Sequence, residues 1–273
     1  MTATGRHRPP PPFRPPYLVT ASADGRGVSV GVTADASTAV VEMTVHGQWS
    51  QHLGSQVAAG LRLCRAGPSL SIIIDLHDLG DPYGLSLPFW AQASRDASLG
   101  PAPVRLALCL PAMTTLDGRL RQPDGPQSAV FTTMIEARRA IAGHLSSARR
   151  LQARLAPQAA SVRAARDLVT QACSAWHLPQ VDEARLVVSE LAANAVEHAR
   201  TDFVVTASTD GKRLHLAVRD GAPQYPQLTE SPQVSSQAPI TQRGRGLQLV
   251  HAAADAWGAM PARGGKVVWA TLP

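Results

Sequence analysis

Apolar residues alternate with small or polar ones in Val28-Ser29-Val30-Gly31-Val32 and again in Ala39-Val40-Val41-Glu42-Met43-Thr44-Val45. This predicts two β-strands around the turn-like Ala34-Asp35-Ala36-Ser37. The period then lengthens: Val57, Leu61 and Cys64 recur at helical spacing over Gln51 to Cys64, a helix closed near Gly67-Pro68. Leu70 to Leu76 and Val104 to Leu110 are short continuous apolar runs of the kind found in buried strands. Between them a second helix is expected from Pro82, through Leu85, Phe89, Trp90 and Ala93. A third is expected from Ile135 to Leu155, with Ile135, Ala142 and Leu145 inward. Strands alternating with helices of these lengths predict an α/β layer structure.

The second half repeats this logic with a different order. Residues 161–176 form a helix with Val162, Ala165, Leu168, Val169, Ala172 and Trp176 on one side, Pro179 breaks it, and Asp182 is the expected N-cap of the next helix. That helix carries Val187 to His198, VVSELAANAVEH, whose Val187, Val188, Leu191 and Ala195 form an apolar stripe. Glu190, Asn194 and His198 lie at i, i+4 and i+8, a drift of about 80° around a helix. Two readings of this polar edge stand from the stretch alone: a solvated flank, or an acid and an amide aimed into one cavity. Next come a strand at Phe203 to Ala207, a turn at Asp210-Gly211 and a return strand from Arg213 to Val218 that runs into Arg219-Asp220-Gly221-Ala222-Pro223. Pro223 to Gln242 shows no periodicity, and a loop of that length is a lid or a disordered segment. Gly244-Arg245-Gly246-Leu247 then opens a helix read as GLQLVHAAADAWG, and a hairpin turning on Gly264-Gly265 ends in KVVWATL.

The 273 residues suffice for two domains, and the expected division is a flexible Pro/Arg-rich tail at 1–27, a first domain at 28–145, a connection at 146–160 and a second domain at 161–273. Hydrophobic content of 44% and charged content of 17% suit a globular chain. The net charge of +6 comes from scattered arginines rather than a basic groove, so no direct nucleic-acid partner is expected. Cys64, Cys109 and Cys173 lie far apart with no metal-ligand spacing, which points to buried reduced thiols. No run approaches the roughly 20 apolar residues of a membrane span, and the N-terminus has no apolar signal core, so a cytoplasmic location is expected.

One kind of ligand accounts for the pieces of the second half together. Glycines opening a helix, as at Gly244 and Gly246, let the backbone approach phosphates, which the free amides favour. A strand-end carboxylate, Asp220, can accept from an exocyclic base amine. The Asn194 side-chain oxygen is a hard ligand suited to Mg²⁺, and Glu190, one turn earlier, can deprotonate an attacking hydroxyl. This ordered set resembles the GHKL ATPase superfamily, in particular the small serine kinases that act as anti-sigma factors. The resemblance covers roughly 155–273: VVSELAANAVEH as N box, Val218-Arg219-Asp220-Gly221 as G1 box, Gly244-Arg245-Gly246-Leu247 as G2 box, and Trp257-Gly258 with Gly265 to Trp269 near the end. It implies a two-layer α/β sandwich that binds ATP and Mg²⁺. Glu190 would be the catalytic base, Asn194 the metal ligand, Asp220 with Gly221 and Ala222 the adenine end, and Gly244, Arg245, Gly246 and Leu247 the phosphate-side hinge of the lid. The G1 box departs from the superfamily pattern DxGxG, since Ala222 adds a Cβ and Pro223 stiffens the chain. His198 has two readings, nucleotide contact or a packed helix-end residue, and Arg245 likewise, phosphate contact or solvent.

The first half, over about 28–143, resembles the STAS domain of anti-anti-sigma factors through the run IIIDL–HDLG–DPYGL. In that family a serine in the corresponding segment is phosphorylated. Here the segment is Asp81-Pro82-Tyr83-Gly84-Leu85, with Pro82 in place of the acceptor, and Tyr83 and Ser86 are read as structural. The combined expectation is an ATP- and Mg²⁺-dependent serine/threonine kinase of anti-sigma type, switching between a STAS-domain partner and a sigma factor, with a homodimer as a further expectation. The alternative is a non-catalytic nucleotide-binding regulator.

Overall fold

The computed structural model describes residues 16–20, 22–23, 29–35, 39–99, 103–122, 129–145, 149–226 and 246–273. Residues 1–15 of the expected tail and most of the long loop, including Gly244 and Arg245, lie outside the described residues, whereas Tyr17–Leu18 and Ser22–Ala23, expected within that flexible tail, are strands paired with the sheet. The front half runs β1 (Tyr17–Leu18), β2 (Ser22–Ala23), β3 (Ser29–Ala34), β4 (Val40–Gln48), α1 (Gln51–Ala66), β5 (Ser71–Asp75), β6 (Leu79–Gly80), α2 (Leu87–Leu99), β7 (Arg105–Cys109), α3 (Thr115–Leu120), β8 (Ala129–Phe131) and α4 (Met134–Leu145). The back half runs β9 (Arg149–Leu155), α5 (Ala159–Trp176), α6 (Val181–Asn194), a π-helical turn (Ala195–Ala199), β10 (Phe203–Thr209), β11 (Leu214–Asp220), α7 (Gly246–Ala253), β12 (Ala256–Ala262) and β13 (Gly265–Leu272).

The strands form one mixed sheet in the order β8-β7-β5-β4-β3-β12-β13-β11-β10-β9, so the α/β class expected from the alternating pattern is the fold observed. The front and back strands meet where β3 touches β12 at Ala34 and Ala262. On the same edge β1 pairs with β12 in parallel, Tyr17 opposite Gly258 and Leu18 opposite Ala259. In the back half, α5 and α6 cover one face of the sheet, burying Val169, Val188 and Leu191 against Phe203, Val218, Val268 and Leu272.

The other face of the same strands is not left to water. Ala217 of β11, Met260 of β12, and Val267 and Trp269 of β13 belong to the core of the front half, together with Val57, Leu61 and Cys64 of α1. Tyr17 stacks on Trp269, with ring centroids 6.1 Å apart and planes within 11°. Strand β13 is buried along nearly its whole length because both of its faces are covered, as in a strand between layers.

Several elements differ from the sequence reading. Arg149 to Leu155, expected within a connection and as the end of a long helix, is the edge strand β9, paired antiparallel with β10 from Leu155–Phe203 to Arg149–Thr209. Its period is two: Leu151, Ala153 and Leu155 turn toward the helices and the arginines turn to solvent, a charged edge that discourages further pairing. Helix α4 ends at Leu145 with a different phase: Ala137 and Ile141 are buried, while Ile135 is exposed. Helix α2 begins at Leu87 rather than Pro82, because Asp81 holds a preceding turn: its carboxylate accepts from the Leu85 amide (2.8 Å), the Ser86 amide (2.9 Å) and the Ser86 hydroxyl (2.6 Å). Gln180, not Asp182, is the N-cap of α6. Helix α7 stops at Ala253, and Trp257 and Gly258 lie in β12. Cys64, Cys109 and Cys173 are free and buried. Among the described residues no helix is long and apolar enough to cross a membrane.

Candidate functional site

The site forms where the C-terminal end of α6 meets the start of α7 and the end of β11. Val187, Val188, Leu191 and Ala192 anchor α6 in the core, which fixes the rotation of its polar edge. Glu190 on that edge reaches α7: a Cβ placed on Gly246 would lie 2.3 Å from Glu190 Oε2. Only glycine lets the helix start that close to the carboxylate. Burial raises the Glu190 carboxyl above its ordinary range, and the nearby charge of Glu197 raises it further.

One turn on, the Nδ2 atom of Asn194 is buried without a hydrogen-bond partner. Oxygen and nitrogen of an amide are interchanged by a flip, so this position offers either a donor or an oxygen ligand. A buried polar atom left unsatisfied costs about 1–3 kcal/mol, which a ligand at this position would recover. The residues therefore fit a cation–phosphate group at this end of the site, which the Asn194 amide oxygen and the Glu190 carboxylate would hold.

The backbone changes winding immediately after Asn194. Ala195 to Ala199 form a π-helical turn closed by the Arg200 amide on the Ala195 carbonyl (3.0 Å), with Arg200 itself left-handed at φ 54°. Such turns are rare and cluster at functional sites. His198, the last of the i, i+4, i+8 series, falls within this π-turn and is exposed. The turn delivers Thr201 to the next segment, where its Oγ1 accepts from the Gly221 amide (2.8 Å). A Cβ on Gly221 would lie 3.1 Å from that same hydroxyl, so Thr201 and Gly221 fit only as a pair.

Asp220 ends β11 and is buried, as expected of a ligand-reading carboxylate, but it is not free. Its Oδ1 accepts from Lys266 Nζ (2.8 Å) and from the Ala222 amide (2.9 Å), and Lys266 Nζ donates again to the Ala222 carbonyl (3.1 Å). The register explains the meeting, since Asp220 and Lys266 face each other across β11 and β13. Gly265 permits the close crossing; a Cβ there would lie 1.9 Å from the Asp220 carbonyl oxygen. Leu247 is buried in the core under α6 rather than directed at a ligand. Beyond Pro223, the Tyr225 hydroxyl donates to the Val19 carbonyl, which ties the start of the long loop to the front half.

The structure thus gathers Glu190, Asn194 and Gly246 at one end, and Asp220, Gly221 and Ala222 at the other, with the π-turn between them. Lys266 and Thr201 touch these residues and were not singled out from the sequence, whereas Glu197, whose charge acts on Glu190, is on the polar edge of the same stretch. The signal for Lys266 was present in composition: it is one of two lysines, with Lys212, among 26 basic residues.

Residues 155–272 match the family model for the histidine kinase-like ATPase domain. Over these residues the back half is similar to histidine kinase-like ATPase domains. Among solved structures, the chain is similar to the RsbU and RsbW domains of Rv1364c from Mycobacterium tuberculosis, at 18% identity and a TM-score of 0.33, over 45% of this chain and 32% of that one. The chain thus spans about a third of the length of that structure. No curated protein matches the sequence.

Proposed function

We propose that the back half binds ATP with Mg²⁺ and transfers its terminal phosphoryl group to a serine or threonine of a partner protein, as an anti-sigma-type switch between a STAS-domain partner and a sigma factor. The observation that carries this reading is Glu190: a carboxylate with a raised pKa, pressed against a helix-opening glycine, one turn from an unpartnered buried amide. A raised carboxyl pKa suits a base that must take a proton near neutral pH. In this reading Glu190 accepts the proton of the attacking hydroxyl, Asn194 holds the metal through its amide oxygen, and the metal neutralises charge on the phosphates when bound. Gly246 admits the phosphates beside Glu190, and Asp220 with Gly221 and Ala222 receives the base.

The front half is proposed to act as a STAS-like docking module that is not itself switched by phosphorylation. The Ser86 hydroxyl supports this: it is fully buried, donates to Asp81 and accepts from Trp90 Nε1 (2.9 Å), so no kinase reaches it. Incubating the full chain with γ-labelled ATP, Mg²⁺ and STAS proteins of the same genome tests the proposal. Label on a partner serine or threonine is the expected result, and intact ATP binding with no transfer to any partner overturns the kinase. A second reading, a non-catalytic nucleotide-binding regulator, is favoured by one observation, the ammonium of Lys266 on the Asp220 carboxylate.

A further inference from the structure

The carboxylate that would receive a nucleobase already has a partner inside the protein. The side chains of Lys266 and Asp220 are 7% and 3% exposed, and the ammonium is held by two oxygens, Asp220 Oδ1 and the Ala222 carbonyl. A base amine that is to donate to Asp220 meets a carboxylate whose Oδ1 already accepts from a full positive charge at 2.8 Å and from the Ala222 amide, which weakens it as an acceptor. The pair is sealed by its backbone: Gly265 crosses against the Asp220 carbonyl, and Thr201 holds Gly221. No surface flexibility explains a lysine here, because the chain meets nearly every other need for a cation with arginine.

We propose that Lys266 is the residue that sets nucleotide affinity at this site, as an internal counter-ion occupying Asp220 in place of a purine amine. The inference rests on the ATP reading above. It adds that the base end is closed at rest, and that nucleotide binds only as the Lys266 ammonium leaves the carboxylate. A site whose competent state is a minor fraction binds more weakly by that fraction, so removing the competitor tightens binding. Arginine at 266 would keep the ion pair and would not tighten it.

The test is isothermal calorimetry of ATP with Mg²⁺ on the full chain, comparing wild type with Lys266→Met, Lys266→Thr and Lys266→Arg, each checked by its melting curve. Lys266→Thr guards against Lys266→Met failing to fold, because its hydroxyl can still donate to Asp220. Binding about ten- to a hundredfold tighter in the Met or Thr variant, with no gain in the Arg variant, is the expected result. Equal or weaker binding in the folded variants overturns the role of Lys266 and leaves the ATP reading standing. Absence of binding in wild type and in every folded variant overturns the ATP reading itself. An independent readout uses wild type alone: selective ¹³C labelling of lysine gives signals from Lys212 and Lys266 only. ATP should shift the ε-methylene of Lys266 and leave that of Lys212 in place; saturation with both unmoved overturns the proposal.

Discussion

Gly246 begins α7 so near Glu190 that a methyl group on its α-carbon would lie 2.3 Å from the carboxylate oxygen Oε2. The obstacle is the far end of a side chain and not backbone, so Gly246→Ala can fold by pushing the carboxylate aside. Gly246 is the first residue of α7, where alanine gains little helix propensity over glycine. The expected outcome is an unchanged melting temperature with phosphoryl transfer lowered at least about tenfold, since a displaced base loses its reach. Melting curves and transfer rates on the same samples check it.

Glu190→Gln should abolish transfer while ATP still binds. The acid limb of the rate profile should follow the raised pKa of Glu190, and Glu197→Gln should move that limb to lower pH by removing the neighbouring negative charge. The linkage sign is also fixed. A carboxyl whose folded pKa is raised binds its proton more tightly in the native state, so its contribution to stability falls as pH rises from the unfolded to the folded pKa. Glu190→Gln should flatten that part of the stability profile, measured by denaturant titration across acidic pH.

Glu42 of β4 joins the two halves at a cavity of about 310 Å³ lined also by Asp35, Arg138 and Arg263. It accepts from Arg138 Nε (2.6 Å) and Nη2 (2.8 Å), and Arg263 lies at 3.5 Å. The Arg138 hydrogen bonds lead in holding its carboxyl below the ordinary range. This stabilisation is present above the unfolded carboxylate pKa and is lost as pH falls through the folded pKa. Glu42→Gln should cost about 1–2 kcal/mol at neutral pH and nothing at the acid end, read from urea unfolding at the two pH values.

Gly258 leaves no room for a side chain, since a Cβ there would sit 2.1 Å from the Tyr17 carbonyl oxygen, and that obstacle is backbone. Gly258→Ala should therefore displace β1 from β12, destabilise the chain by about 1–3 kcal/mol and expose the segment around Tyr17 to limited proteolysis. Cleavage there at the wild-type rate would count against the strand pairing.

Local patterns carried the elements well where one period dominated. Val57, Leu61 and Cys64 give α1, and the Ser50 hydroxyl accepting from the Leu53 amide explains its start. The pattern misled where charge hid a shorter period: in RRLQARL the arginines of β9 read as a helix face, and only pairing with β10 shows them as the outer side of an edge. The candidate residues of α6 were legible because Glu190 and Asn194 sit one turn apart before the winding changes. The π-turn that holds His198 leaves no residue signature in AVEHA, since it is closed by the Arg200 amide on the Ala195 carbonyl. The Asp220–Lys266 pair joins residues 46 positions apart through the β11–β13 register, which no local spacing encodes.

Trp269 has a consequence for how the molecule comes apart. Its ring is fully buried among front-half residues although it sits on β13, whose alternate side chains lie beneath α5 and α6. Separating the halves would bare Trp269, Val267 and Met260 to water along one sheet face, at about 25 cal/mol for each Å² of apolar surface. The two halves are thus bound into a single cooperative unit, and loosening either one is felt as a loss of order in the other.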